Sequence, residues 1–385
     1  MQEQNAAIST WLAEQQEAMI QLLSQLVNID SGSYDKDGVD AVGVRLTDFF
    51  AEHDIHVTTT PNAHFGDILR AATGDAKEGS GRHNILLMGH RDTVFPKGEA
   101  ARRPFHISAG RAYGPGVADM KAGLVMNAFI MAAFKRFAPE VPLVALMTGD
   151  EEIGSGTSRA VIEHEAKQAI AVFNSEPGRA SGNVVTGRKG GFTYRFDITG
   201  KAAHSGVNFT DGASAIGELA HKITALHGLT RIEDGITLNV GLVKGGHSVN
   251  TTAPDASGEV DVRFITNEQR DELFAKIEAI LSSTTTPGTS IKAERKSGFL
   301  PLVPTAGSEL LTEKYLLSAH EMGLSISGEF TGGCADSGFA ASTGAPTICG
   351  VGPVGGKAHT VEEYIEVASL SERARVVAKT ITKCI

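Results

Sequence analysis

The sequence predicts an α/β protein with a mostly parallel sheet, interrupted by a smaller inserted α+β domain. Three observations carry this. The chain has 385 residues, beyond the roughly 250–300 at which one hydrophobic core stops growing, so two domains are expected. Apolar runs such as Asn84–Gly89 and Pro142–Thr148 are short and separated by a helical stretch, the pattern of strands buried on both faces. From about Arg188 the strands instead alternate polar and apolar residues, as strands covered on one face do.

The elements follow in order. Ile8, Trp11, Leu12, Met19, Leu22, Leu23 and Leu26 recur at roughly helical spacing, so the N-terminus reads as one amphipathic helix. It has no basic stretch followed by an apolar one, so it is not a secretory signal. Asn84–Gly89, Met120–Phe137 and Pro142–Thr148 read as strand, helix and strand, with Ala169–Phe173 as the next strand. Residues 188–297 read as the inserted domain, in the order strand, helix (211–228), strand (236–245), strand (257–266), helix (268–283), strand (289–297). That βαββαβ order is ferredoxin-like. Residues 1–187 and 298–385 then form the larger domain, with a buried strand at Ala345–Gly350 and a last helix over about 368–383.

Composition bounds the function. With 41% hydrophobic and 21% charged residues the chain is an ordinary globular protein. Its 35 basic and 45 acidic residues give a formal charge of −10, which argues against nucleic acid or anionic lipid as a bulk partner. No apolar run approaches the ~20 residues of a membrane span. Three cysteines, Cys334, Cys349 and Cys384, are too few for a disulfide framework and suit the reducing cytoplasm.

Candidate ligands gather where loops leave strands. His90 and Asp92 follow the strand ending at Met88, and Asp119 opens the next helix. Glu151 and Glu152 follow the strand ending at Thr148, Glu176 follows Phe173, and His359 lies in a Gly-rich loop after Gly350. A single His after a strand is ordinarily a structural residue, an Asp at a helix start an N-cap, and two adjacent Glu a solvated edge. Four strand ends each delivering His, Asp or Glu are harder to explain that way, because open α/β sheets bind ligands beyond the carboxyl ends of their strands. Two His and several carboxylates suit zinc, and a shared Asp can bridge two ions. Glu151 would be left for proton work.

The segments GHRDTVFP (89–96), YGPGVADMKAG (113–123), TGDEEIGS (148–155), NSEPG (174–178) and KAHTVEEY (357–364) resemble, in order, the motifs of the two-zinc metallopeptidase family of aminoacylase, acetylornithine deacetylase and glutamate carboxypeptidase. The glutamate carboxypeptidase branch is the nearest resemblance, and it spans nearly the whole chain. It implies two Zn2+ per subunit, with Co2+ or Mn2+ as possible substitutes. His90, Asp119 and Glu176 would hold one ion, and Asp119, Glu152 and His359 the other. Asp92 would orient His90 by accepting its second ring N–H, and Glu151 would be the general base. A cis peptide after Asp119 is also implied. His204, in GKAAHSG (200–206), resembles the residue that reaches the partner subunit's active site, which implies a homodimer formed through the inserted domain. That domain would serve for dimerisation and as a lid.

For the substrate, Asn250 resembles the family residue that hydrogen-bonds near the substrate carboxylate. Lys296 falls where the family usually has an Arg, with Arg295 beside it, so either could bind the carboxylate. Gly332 and Gly333 resemble a turn whose backbone N–H groups receive that carboxylate. Arg188, Lys189 and Lys357 are equally readable as contacts to an acidic substrate side chain or as surface positions, and Arg263 as a strand or domain-interface residue. Cys334 is not read as a nucleophile, because no base accompanies it. The expectation is a two-zinc carboxypeptidase or amidohydrolase, cleaving an N-acyl or peptide amide bond next to a free C-terminal carboxylate such as that of glutamate. A deacylase of N-acetyl or N-succinyl amino acids is the alternative within the class. A catalytically silent metal- or amino-acid-binding relative is the alternative outside it. No Walker or dinucleotide glycine pattern follows a strand.

Overall fold

The computed structural model describes residues 2–74 and 82–385. Two compact units emerge: a larger one of residues 1–187, 302–331 and 335–385, and a smaller one of residues 188–301 and 332–334. The sequence pattern had placed the smaller domain at 188–297. The extension to Pro301 accommodates the strand Ser290–Phe299 in full.

The larger unit is organised by an eight-stranded sheet. Its spatial order is His56–Thr60, Ile68–Ala72, Leu143–Thr148, Asn84–His90, Ala169–Asn174, Thr347–Cys349, Val184–Arg188 and Gly328–Thr331. The four central strands, from Leu143–Thr148 to Thr347–Cys349, run parallel, and the strands flanking them pair antiparallel. Every residue of Asn84–His90 and Leu143–Thr148 is buried, which is why these strands read as unbroken apolar runs. His90 and Thr148 are register partners, so both strands end level and their loops leave side by side.

The helix Ala122–Phe137 packs on this sheet, with all residues from Ala122 to Phe134 buried. Although no unbroken apolar run reaches membrane-span length, the segment Val117–Phe137 taken whole, charged residues included, is long and apolar enough to cross a membrane; it lies almost wholly inside the unit, as a core helix does. Two sequence expectations need correction here. The N-terminal stretch forms two helices, Gln2–Glu14 and Gln16–Val27, divided at Gln15, yet the helical phase survives because Ile8, Leu12, Met19, Leu23 and Leu26 are all buried. Asp119 does not open or cap the long helix, which begins at Ala122. It sits in a wider, irregular turn over Val117–Lys121 with φ −112° and ψ 92°, and the Asp119–Met120 peptide is cis.

A four-stranded antiparallel sheet completes this unit, ordered Gly355–Gly356, Tyr364–Glu366, Arg111–Tyr113, His106–Ser108. It pairs the strand leading to the Asp119 turn with the strand that follows the His359 loop.

The smaller unit has the order strand Gly190–Thr199, helix Ala215–His227, strands Thr237–Gly245 and Asp255–Phe264, helix Asn267–Leu281, strand Ser290–Phe299. All four strands pair antiparallel, with Gly190–Thr199 between Asp255–Phe264 and Ser290–Phe299. The alternating side chains Phe192, Tyr194, Phe196 and Ile198 meet Leu219, Leu226, Leu273 and Ile277 of the helices. Sequence sets the helix starts as well. Ser214 accepts the Gly217 N–H, and Thr266 and Gln269 form a capping box.

Candidate metal centre

Seven residues of the larger unit converge beyond the carboxyl ends of its central strands. His90 is the last residue of Asn84–His90. Glu151 and Glu152 begin a short helical turn after Leu143–Thr148, and Glu176 lies two residues past Asn174. Asp119 is delivered by the close approach of helix Ala122–Phe137 to the Ser175–Glu176 turn. A Cβ on Gly123 would lie 2.0 Å from the Ser175 carbonyl oxygen, so that approach requires glycine.

Asp119 divides its carboxylate between two histidines. Oδ1 lies 3.1 Å from His90 Nε2, and Oδ2 lies 3.3 Å from His359 Nε2. Glu176 Oε1 approaches His90 Nε2 to 3.7 Å, and Glu152 Oε2 approaches His359 Nε2 to 3.2 Å. Two donor sets result, His90–Asp119–Glu176 and Asp119–Glu152–His359, each with its ligand atoms within 4.8 Å of one another. They differ in access: the His90 side chain is 1% exposed and that of His359 51%. His359 is presented by left-handed backbone, with φ 64°.

The electrostatics suit cations. Hydrogen bonds from its ring to the Asp119 and Glu152 carboxylates raise His359 to about 10. Burial and the neighbouring charges of Glu176, Asp336 and Glu152 hold the Glu151 carboxyl well above the usual carboxylate range, outweighing the opposite pull of His90. Burial also raises Glu152, with the Asp119 charge adding to it. Among the described residues, Glu152 Oε1 is buried without a hydrogen-bond donor. Buried acceptors need a partner, and a divalent ion between imidazole and carboxylate groups would supply one. The donor set, nitrogen and carboxylate oxygen with a shared Asp, fits a pair of zinc-like ions.

Asp92 meets His90 with both its main chain and its side chain. His90 Nδ1 lies 2.9 Å from the Asp92 backbone carbonyl and 3.4 Å from its carboxylate. The Asp92 carboxylate also accepts Ser33 Oγ–H at 2.7 Å and the N–H groups of Glu151 and Glu152, both at 3.1 Å. Its carbonyl and carboxylate together flank His90 Nδ1, and the carboxylate also holds the turn that carries the two glutamates.

The remaining candidates, Lys357 apart, belong to the smaller unit. His204 and Asn250 lie on adjacent segments, since Ser205 N–H donates to the Asn250 carbonyl at 2.9 Å and His204 bridges Thr251. Arg295 stands beside its register partner Tyr194, with its guanidinium 4.1 Å from the centre of the Phe274 ring on a helix. Lys296 instead pairs with Glu294 at 2.8 Å, which alternation puts on the opposite face of the strand. Arg188 donates to the carbonyls of Gly333 and Cys334 at 3.3 and 3.2 Å, and Arg263 donates to the Cys334 thiol sulfur at 2.8 Å. Both arginines thus hold the Gly332–Cys334 turn. Lys357 is paired with Glu362 at 2.7 Å.

Three residues without a role in the sequence reading take part. Ser33 binds Asp92. Asp336 is buried and accepts from Ser155 Oγ and Thr148 Oγ1, and burial raises it to about 7. Glu363 is buried behind the Asp119 turn. Only Glu363 carried any signal, as a neighbour of His359 within one motif.

The model of peptidase family M20/M25/M40 matches residues 86–383. Carboxypeptidase G2 of Pseudomonas sp. (strain RS-16) is 30% identical over 96% of this chain and 89% of its own length. Acetylornithine deacetylase of Proteus mirabilis is 26% identical over 79% of this chain and 80% of its own. In fold, the chain is similar to the M20 family metallo-carboxypeptidase Sso-CP2 of Sulfolobus solfataricus (TM-score 0.77, 17% identity, 94% and 98% of the two chains). It is likewise similar to aminopeptidase PepT of Bacillus cereus (TM-score 0.75, 24% identity, 96% and 98%). The chain belongs to peptidase family M20/M25/M40 and is a metal-dependent hydrolase.

Proposed function

We propose that the protein is a two-zinc hydrolase that cleaves an N-acyl or peptide amide bond next to a free C-terminal carboxylate, with glutamate as the preferred terminal residue. The observation that carries this reading is Asp119, whose two oxygens face two histidines from separate donor sets. Cations bound there supply Lewis acidity to the amide carbonyl and lower the pKa of water toward ~7. Glu151 is the proton carrier. Its Oε2 lies 4.0 Å from His90 Nε2, beside the donor sets, and its buried carboxyl holds a proton readily. It takes the proton from the attacking water and returns it to the leaving amine.

His204 completes the electrostatics across a subunit boundary in this reading. Gly206 N–H donates to His204 Nδ1 at 3.1 Å, which places the ring hydrogen of the neutral imidazole on Nε2 as an outward donor for a developing oxyanion. A homodimer through the smaller unit is supported by its edge strand Thr237–Gly245. That strand pairs on one side among the described residues and exposes Leu242 and Val243. Three cysteines joined in no disulfide suit action in the cytoplasm.

The test is a panel of N-acyl and dipeptide substrates differing only in the C-terminal residue or only in the acyl group, assayed with Zn2+ supplied. Preference for C-terminal glutamate across acyl groups supports the reading. Preference for N-acetyl or N-succinyl groups regardless of the terminal residue supports the deacylase alternative instead.

A further inference from the structure

The Asp119 turn poses a backbone problem. Gly116, Ala118 and Met120 are buried, yet residues 116–119 belong to no strand and precede the regular helix, so their N–H groups lack the usual ladder partners. Glu363 meets them. Its Oε2 accepts the Gly116 N–H at 3.1 Å, and its Oε1 accepts those of Ala118 at 2.8 Å and Asp119 at 2.9 Å. The side chain is fully buried. Gly116 has φ +72°, and a Cβ there would come within 2.5 Å of Thr93 Cγ2, so the turn is shaped to present these groups to one carboxylate.

Glu363 also belongs to the His359 loop. It follows His359 by four residues and directly precedes Tyr364–Glu366, which pairs with Arg111–Tyr113, the strand leading into the Asp119 turn. One side chain therefore ties together two loops 244 residues apart, and each loop supplies a ligand atom to the Asp119–Glu152–His359 set.

We propose that Glu363 is a positioning residue that sets the separation of Asp119 and His359, so that both can hold one cation. It never touches substrate or the cation. Without it, three buried N–H groups lose their acceptor, and the turn carrying Asp119 loses its fixed relation to the His359 loop. The proposal rests on the reading of the two donor sets as cation sites.

The experiment titrates Co2+ into chelator-treated protein, following calorimetry and the visible Co2+ absorption bands well below the melting temperature. The wild-type chain, Glu363→Ala, Glu363→Gln and Glu165→Gln are compared. Glu165 is buried and pairs with Arg70 at 2.8 Å, outside the metal centre, so its loss reports on stability alone. Glu363→Ala is expected to weaken Co2+ binding roughly 10–100-fold and alter the bands. Glu363→Gln, which keeps one carbonyl oxygen for Ala118 and Asp119, should fall between Ala and wild type. Glu165→Gln should lower the melting temperature and leave Co2+ binding unchanged. If both Glu363 variants bound Co2+ as wild type does, even with lowered melting temperatures, the positioning role would be overturned. The Gln variant decides the matter should Ala fail to fold. A wild-type chain taking up no Co2+ would overturn the cation reading and this proposal together.

Discussion

The Asp92 carboxylate accepts the backbone N–H of Glu151 at 3.1 Å, so the residue whose carbonyl orients His90 also fixes the candidate proton carrier. Binding and chemistry share one support, which makes two substitutions separable. Glu151→Gln should lower kcat by ~10²–10⁴ and leave metal content unchanged, because Glu151 belongs to neither donor set. Asp92→Ala should lower kcat and also weaken metal binding by ~10–100-fold, since the turn carrying Glu152 loses its anchor. Kinetics paired with metal analysis checks both. Equal metal loss in the two variants would contradict the division of roles.

A second prediction concerns pH and the smaller unit. Glu218 is buried; its carboxylate accepts Thr285 N–H at 2.9 Å and Thr286 N–H at 2.6 Å, and pairs with Lys222 at 3.1 Å. Burial acts to raise its pKa, but these hydrogen bonds prevail and hold it below the ordinary value of 4.5. A folded-state pKa below the unfolded one stabilises the protein above the unfolded value, and that stability is lost as pH falls through the folded value. Glu218→Gln should therefore cost about 1–3 kcal/mol at pH 7. Its deficit should shrink once the pH drops well below 4.5. Urea melts of both chains at pH 7 and at acidic pH test this; a deficit constant with pH would contradict it.

How much of this was legible beforehand follows from what local pattern can encode. His90, Asp119, Glu152, Glu176 and His359 each follow a strand or precede a helix, so the rule that open sheets bind at their carboxyl ends groups them without coordinates. The alternation in Gly191–Thr199 likewise announces a one-sided sheet, and the structure puts Phe192, Tyr194, Phe196 and Ile198 in its core. Glu363 was legible only as a neighbour of His359 within one motif, because its worth lies in three N–H groups more than 240 residues away, and two adjacent acids read locally as surface. The break at Gln15 carries no Gly or Pro, and the helical phase continues across it. Asp92 fell between these cases: its importance was readable, but which of its oxygens does what depends on Ser33, a partner 59 positions earlier.

The opposite faces taken by Arg295 and Lys296 give a third prediction. Arg295 is engaged with Phe274 on the helical side, whereas Lys296 pairs with Glu294 in an ion bridge exposed to solvent, which a substrate carboxylate could displace at little cost. Lys296→Ala should raise KM for a substrate ending in glutamate by about tenfold with kcat little changed, the effect of one charge-assisted hydrogen bond. Arg295→Ala should leave KM unchanged and destabilise the smaller unit by about 0.5–1 kcal/mol. Steady-state kinetics beside thermal melts separate the two, and a KM effect confined to Arg295 would reverse the assignment.

The last prediction tests whether the active site is shared between subunits. His204 is exposed in the smaller unit, and its Nδ1 accepts from Gly206, leaving Nε2 as an outward donor. If that donor serves a partner's site, a His204→Ala chain and a Glu151→Ala chain are each inactive alone for complementary reasons. Mixed dimers would then contain one site with an intact Glu151 and an intact His204. Random exchange makes half of the dimers mixed, each with one of two sites restored, so activity should return to about a quarter of wild type per chain. Recovery should follow the rate of subunit exchange, measured with differently labelled chains. Complete exchange without recovery would confine His204 to its own subunit or remove it from the chemistry, and a monomeric protein in sedimentation would exclude the shared site outright.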